Sequence, residues 1–207
     1  MKKSAVIFDL DGTIVDIEPI FLKILNSLAP EFGYPPVSPE AIPGLKKLSL
    51  KDIIVRYLGW RIILFPWIIR RGRAEYHKLT PEVGIFPGIK ELFEALRNQN
   101  FRIGIVSSSR EDTIRALIAK HSLPVDFIYR SGLFNKASVL KKVLKKERLS
   151  PDEVVYIGDE VRDVEACHRA KLPILAVTWG LNSKDALERA GAETVDTREA
   201  LLARIMR

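Results

Sequence analysis

Two aspartates stand two residues apart near the start of this 207-residue chain, directly after an apolar run from Ala5 to Phe8. A short, partly β-branched apolar run predicts a buried strand. Gly12 follows Asp11 and permits a tight turn and a close backbone approach to a ligand. Because open α/β sheets bind ligands at the carboxyl ends of their strands, Asp9 and Asp11 stand where chemistry is expected. The alternative interpretation is a solvated Asp-Gly turn.

Polar side chains also follow three later predicted strands. They are Ser107 and Ser108 after the second core strand, Lys136 after the third, and Asp159 and Asp163 after the fourth. Several carboxylates can share a small site only if a cation offsets their repulsion. Oxygen ligands suit a hard ion such as Mg²⁺, and a lysine and a hydroxyl beside it suit a phosphoryl group.

The elements that must position these residues follow a regular order of strand, long helical segment, and then repeated helix–strand units. This order predicts an α/β fold with a Rossmann-like parallel sheet between helices. We expect residues 1–15 and 84–207 to form the core and residues 16–83 to form an inserted α-helical cap over the site. Pro30 should end the first inserted helix, and Ser109 should cap the helix after the second core strand.

The second half of the insert is both apolar and basic. One helical stripe contains Ile53, Tyr57, Trp60, Leu64 and Ile68. The stripe favours a helix pair packed on its neighbours and broken near Pro66, with contact to a membrane surface or a partner as alternatives. The uninterrupted apolar run, 62–69, is far shorter than the ~20 residues of a transmembrane helix. This run is also a candidate interface, so we expect a monomer or a homodimer.

Composition narrows the class of protein. A hydrophobic content of 47% with 29% charged residues is that of a soluble globular protein. Cys167 is the single cysteine, which excludes an intramolecular disulfide framework and fits the cytoplasm. The net charge of +7 suits small anions, nucleic acid and acidic lipid equally, so it does not by itself predict a nucleic-acid partner.

The motifs, taken together, resemble the haloacid dehalogenase (HAD) superfamily. They are Asp9-Leu10-Asp11-Gly12-Thr13, Ser107, Lys136 and Gly158-Asp159-Glu160-Val161-Arg162-Asp163. With a helical segment between the first two motifs, the chain is most similar to the phosphoglycolate phosphatase-like group over essentially its whole length. The resemblance implies a Mg²⁺-dependent phosphatase that acts on a small phosphorylated metabolite, either phosphoglycolate-like or a sugar phosphate.

The resemblance also implies a role for each residue. Asp9 is expected to be the nucleophile that forms an aspartyl-phosphate, and Asp11 to protonate the leaving group and then activate water. The expected phosphate-binding residues are Gly12, Ser107, Ser108 and Lys136. The expected Mg²⁺ ligands are Asp9, the main-chain carbonyl of Asp11, Asp159 and, directly or through water, Asp163. Lys141 is the alternative lysine, and for Glu160 both a solvated position and a place near the ion are open.

Three other functions compete with this hypothesis. A phosphomutase of the same superfamily would return the phosphoryl group to a sugar. A non-catalytic phosphate-binding regulator, such as a receiver domain, carries its acceptor acid after the third strand and has no inserted lid. A binding protein for nucleic acid or membranes would use the basic cap, and charge alone supports it.

Overall fold

A computed structural model describes residues 3–207. Its strands are β1 (Ala5–Phe8), β2 (Val15–Asp16), β3 (Gly84–Ile85), β4 (Arg102–Ser107), β5 (Phe127–Arg130), β6 (Val154–Gly158), β7 (Ile174–Val177) and β8 (Glu193–Val195). A six-stranded sheet has the order β5-β4-β1-β6-β7-β8, and every neighbouring pair is parallel. The predicted α/β fold class is therefore confirmed. Because β1 is central, the residues after it lie in the middle of the carboxyl edge.

Helices cover both faces of this sheet. They are α1 (Glu18–Phe32), α2 (Ile42–Leu45), α3 (Leu50–Leu58), α4 (Phe65–Leu79), α5 (Ile89–Asn98), α6 (Glu111–His121), α7 (Lys136–Glu147), α8 (Val161–Ala170), α9 (Lys184–Arg189) and α10 (Arg198–Ile205). Alternate residues of β1 point to opposite faces. Phe8 packs against Phe93 of α5, whereas Ile7 lies in a second core with Tyr156 and Leu140. Burial on both faces explains why β1 is apolar at every position.

The inserted helices α1 to α4 leave and rejoin the core at one place. β2 and β3 form an antiparallel pair in which Val15 lies opposite Ile85. The prediction that Pro30 ends α1 is wrong, because the helix continues to Phe32 and stops at Gly33, which has a left-handed φ of 68°. Pro30 lies in the last turn, where one amide hydrogen bond is lost while the neighbouring Leu28 and Ala29 stay buried.

The predicted apolar stripe of the insert is also wrong in detail. The buried positions are Ile54, Leu58 and Ile68, whereas Trp60 is 75% exposed. The reason is local: Gly59 has a φ of 50° and starts a 3-10 segment, so the helical phase changes before α4 begins. Pro66 falls in the first turn of α4, where its missing amide costs little.

Within residues 3–207, every helix is too short or too polar to cross a membrane.

Candidate active site

The carboxyl edge of the sheet gathers the predicted site residues. Asp9 follows β1, Ser107 ends β4 and Asp159 follows β6, and all three side chains are buried. Because these three strands are adjacent and parallel, their ends meet at one place. The structure thus brings together residues that are up to 150 positions apart in the sequence, as the strand pattern predicted.

The two carboxylate oxygens of Asp9 differ in their hydrogen bonding. Its Oδ1 accepts a hydrogen bond from the backbone amide of Leu10 at 2.8 Å. Its Oδ2 lies 2.9 Å from Lys136 Nζ, yet within residues 3–207 this buried oxygen accepts no well-aligned hydrogen bond. Burial raises the pKa of Asp9 to about 7, although the charge of Lys136 opposes that shift. Oδ2 is therefore the oxygen of Asp9 that is available to a ligand.

Lys136 lies between two carboxylates. It is the first residue of α7, its side chain is only 4% exposed, and Nζ donates to Asp163 Oδ1 at 2.5 Å in addition to approaching Asp9. Burial lowers the pKa of a lysine, but here the carboxylates of Asp163 and Asp9 raise the pKa of Lys136 above its usual value. The alternative lysine, Lys141, is exposed one turn later on the same helix.

Asp159 is fixed by donors to both of its oxygens. Thr13 Oγ1 donates to Oδ1 at 2.6 Å, and the amide of Leu181 donates to Oδ2 at 2.8 Å. Gly12 has a φ of 81°, and a Cβ there would stand 2.1 Å from Asp159 Oδ2. Gly12 therefore lets the backbone turn pack directly on this carboxylate. Burial, together with the neighbouring charge of Glu160, raises the pKa of Asp159 well above its usual value.

Asp11 faces away from the buried acids and towards the insert. Its Oδ1 accepts from the hydroxyl of Tyr76, on α4, at 2.6 Å. Its Oδ2 accepts from Ser109 Oγ at 2.5 Å, with Ser107 Oγ at 3.5 Å. The prediction that Ser109 caps α6 is wrong, because Arg110 occupies that position and the Ser109 hydroxyl is used by Asp11 instead. Two carboxylates two residues apart thus have different surroundings.

Two arginines stand beside Ser108. Arg73, on α4 of the insert, donates to the Ser108 carbonyl at 2.9 Å. Arg162 places its two terminal nitrogens 3.5 Å from Ser108 Oγ and also pairs with Glu160. Glu160, which the sequence left open, is therefore buried and bound to an arginine rather than solvated.

The buried acids suit a divalent cation. Asp9, Asp159 and Asp163 each offer an oxygen, and these oxygens lie within 4.8 Å of one another. Glu160 adds a fourth carboxylate to this group, whereas Lys136 and Arg162 supply two positive charges. The group therefore has an excess of two negative charges when all the acids are ionised. Oxygen donors and this charge excess fit Mg²⁺.

Five residues that contact the predicted site residues were not themselves predicted to belong to the site. They are Thr13, Arg73, Tyr76, Ser109 and Arg162. Thr13 and Arg162 lie inside the quoted motifs, so their closeness in sequence to Asp11 and Asp163 could have predicted that they contact the site. Arg73 and Tyr76 are three positions apart on α4 and hence share a helix face, which is weaker information. Nothing local indicated that this face meets the sheet.

Comparisons with known proteins agree with this geometry. Residues 6–177 match the family model of the haloacid dehalogenase-like hydrolases. A phosphoglycolate phosphatase from Synechococcus elongatus is 35% identical over 194 residues, which cover 90% of this chain and 89% of the relative. A predicted phosphatase from Clostridium acetobutylicum superposes with a TM-score of 0.85 at 23% identity and 99% coverage of both chains.

A haloacid dehalogenase-like hydrolase from Streptococcus pneumoniae superposes with a TM-score of 0.82 at 24% identity, with 98% of each chain covered. At these identities the two superpositions establish the fold, while the family-model match and the Synechococcus relative establish the family. The chain belongs to the haloacid dehalogenase-like hydrolase family, and it is a phosphatase, an enzyme that hydrolyses phosphoric monoesters.

Proposed function

We propose that this protein is a Mg²⁺-dependent phosphatase that works through an aspartyl-phosphate on Asp9. The observation that carries the proposal is the different setting of the two aspartates. Asp9 points a bare, buried oxygen at Lys136 and the acid group, whereas Asp11 faces the insert with its oxygens held by hydroxyl groups. A nucleophile needs an oxygen that is open to the phosphorus atom, and the group that moves the proton must stand beside that oxygen and be held in place, so the two settings suit the two roles.

The first step transfers the phosphoryl group to the protein. Asp9 Oδ2 attacks phosphorus and forms a new P–O bond, while the bond from phosphorus to the leaving oxygen breaks. Asp11 gives its proton to that oxygen, so an alcohol leaves. In the second step Asp11, now a carboxylate, takes a proton from water as the water oxygen attacks phosphorus and the bond to Asp9 breaks. Inorganic phosphate leaves, and Asp11 is protonated again.

The charge on the transferring group needs donors and cations. Lys136, Ser107, Ser108 and Gly12 are the expected phosphate-binding residues, and all four are buried at the carboxyl edge of the sheet. Mg²⁺ bound by Asp9, Asp159, the main-chain carbonyl of Asp11 and, directly or through water, Asp163 would supply further positive charge, and Asp163 also holds Lys136 beside it. Gly12 supports the metal position by packing on Asp159.

We assign residues 1–15 and 84–207 to the catalytic core, of which residues 1 and 2 lie outside the described part of the chain, and residues 16–83 to a cap. The β2–β3 pair, which joins the two, supports this division. The contacts of Arg73 and Tyr76 with Ser108 and Asp11 support a cap that closes over the site. Phosphoglycolate is the first substrate to assay because the Synechococcus relative carries that name. Sugar phosphates are the second.

The test is hydrolysis of p-nitrophenyl phosphate with Mg²⁺ and, separately, with a chelator. We expect turnover that needs the metal, undetectable turnover for Asp9→Asn, and about 10²- to 10⁴-fold slower turnover for Asp11→Asn. The circular dichroism spectrum checks that both variants fold. A rate for Asp9→Asn close to that of the parent would disprove the nucleophile. Phosphoryl return to glucose phosphates would favour a phosphomutase, and phosphate binding without turnover would favour a regulator.

A further inference from the structure

A cavity of about 300 Å³ lies between the insert and the core, beside Asp11. Most of its lining is apolar and comes from α1, α3 and α4; the buried members include Ile24, Leu28, Ile54, Leu58 and Ile68. The cavity is partly open to solvent, so it is a candidate binding cleft and not a closed packing void. Its volume is at the lower end of the range for small-molecule sites.

The two ends of this cavity differ in chemistry. Asp11, Ser108, Ser109, Glu160 and Arg162 are polar lining residues from the core, and they lie at the strand ends where the phosphoryl group is expected; Asn182 is a further one, and its side-chain amide donates to the carbonyls of Lys46 and Leu48. Arg73 and Tyr76 of α4 contact this polar end through Ser108 and Asp11. Beyond them the lining is nearly all aliphatic and aromatic. A ligand that fits both ends has a phosphate at one end and an apolar body.

The position of Asp11 gives this arrangement a direction. In the proposed reaction Asp11 protonates the leaving oxygen, so the organic part of the substrate must extend from Asp11. The cavity begins there and continues into the insert. Lys46, a cation of the lining, already pairs with Glu18 at 2.5 Å. At that position a second anionic group on the substrate would meet a neutral pair, and the other lining cation of the insert, Arg73, stands at the phosphate end, where it donates to the Ser108 carbonyl.

We infer that the protein hydrolyses phosphate monoesters whose organic part is a flexible apolar chain, and that this chain lies in the cavity. The inference rests on the proposed function and narrows its substrate class. The inferred substrate differs from that of the Synechococcus relative, whose name, phosphoglycolate phosphatase, specifies a small polar substrate. Contact with the apolar lining removes the surface of an apolar chain from water, which supplies the driving force.

The experiment measures phosphate release from ethyl, butyl, hexyl and octyl phosphate, each below its micelle-forming concentration, with phosphoglycolate and p-nitrophenyl phosphate alongside. We expect kcat/KM to rise about fourfold for each methylene that becomes buried, until the cavity is full. A flat or falling series, or phosphoglycolate as the best substrate, would overturn the inference while leaving the phosphatase intact. If none of the esters is hydrolysed, the proposed function itself fails.

A matched pair of variants on α3 tests whether the alkyl chain of the substrate lies in the cavity. Ile54→Phe enlarges a lining side chain, and we expect it to reduce the octyl-to-ethyl ratio of kcat/KM on the order of tenfold. Val55→Phe adds the same ring at the next, exposed position and should leave that ratio unchanged. Ile68→Phe on α4 is the second lining variant if the first does not fold. Equal ratios in the parent and in a folded lining variant would contradict the proposed location, and the ester series on the parent decides independently.

Discussion

The hydroxyl of Tyr76 donates a hydrogen bond to Asp11 Oδ1 at 2.6 Å. Tyr76 belongs to α4 of the insert, whereas Asp11 belongs to the turn after β1. This contact therefore joins the cap to the residue that we expect to transfer the proton. We expect the position of the insert and the orientation of that carboxylate to be linked through this hydrogen bond.

Removing this hydroxyl should slow turnover without removing the fold. Hydrogen bonds to charged groups contribute about 1.5–3 kcal/mol, so we expect Tyr76→Phe to lower kcat for p-nitrophenyl phosphate roughly 10- to 100-fold. Tyr129→Phe is the matched control, because its hydroxyl also donates to a carboxylate at 2.6 Å, that of Glu147, away from the site. Similar kcat values for both variants would show that Tyr76 does not position Asp11.

Lys136 should be essential to stability as well as to activity. Lys136→Met leaves Asp9 and Asp163 buried without their shared cation, and breaking a buried pair costs about 3–5 kcal/mol. We expect urea unfolding at pH 7 to report that loss, and added Mg²⁺ to recover part of it. Lys141→Met, on the exposed face of the same helix, should change the free energy of unfolding by less than about 0.5 kcal/mol. A Lys136→Met protein as stable as its parent would contradict this account.

Gly12 should tolerate no side chain. Gly12→Ala places a Cβ 2.1 Å from Asp159 Oδ2 at a φ of 81°. A left-handed conformation costs about 1–2 kcal/mol for an ordinary residue, and the clash adds to this cost. We expect a lower melting temperature and weaker Mg²⁺ binding. Gly44→Ala is the control: Gly44 lies in α2 with open space around it, so the same change should be neutral or stabilising. Retained Mg²⁺ affinity in Gly12→Ala would separate Gly12 from the metal position.

Metal binding should release protons at mildly acidic pH. Burial raises the pKa of Asp9 to about 7 in the metal-free protein, against an ordinary value of 3.8. The folded protein therefore holds a proton that the unfolded chain has lost, and this group makes the metal-free protein less stable as pH rises from about 4 to 7. Mg²⁺ needs the carboxylate, so its apparent affinity should rise with pH up to about 7.

Calorimetry at pH 6 in two buffers of different ionisation enthalpy measures that release. We expect a buffer-dependent binding enthalpy for the parent and a smaller dependence for Asp9→Asn. Identical enthalpies in both buffers for the parent would mean that Asp9 is already ionised in the metal-free protein.

The sequence predicted the core half of the site much better than the insert half. Asp9, Ser107 and Asp159 follow apolar runs, and a parallel sheet brings such strand ends together whatever the loops do. Tyr76 and Arg73 depend on how α4 rests against the sheet edge, which is set by packing between distant segments. Ser109 had two uses available, as a helix cap or as a donor to Asp11, and local sequence favours the first. The buried stripe of the insert was also predicted incorrectly, because the backbone conformation of Gly59, with its positive φ, changes the helical phase there.

The pairing of Val15 with Ile85 means that the chain departs from the core and comes back to it through neighbouring strands. The reactive edge is assembled almost entirely from residues outside that loop. We expect that the insert between those two strands can change in length or sequence while the residues at the sheet edge keep their positions. We therefore expect the chemistry of the reaction and the choice of substrate to be determined by separable parts of the chain.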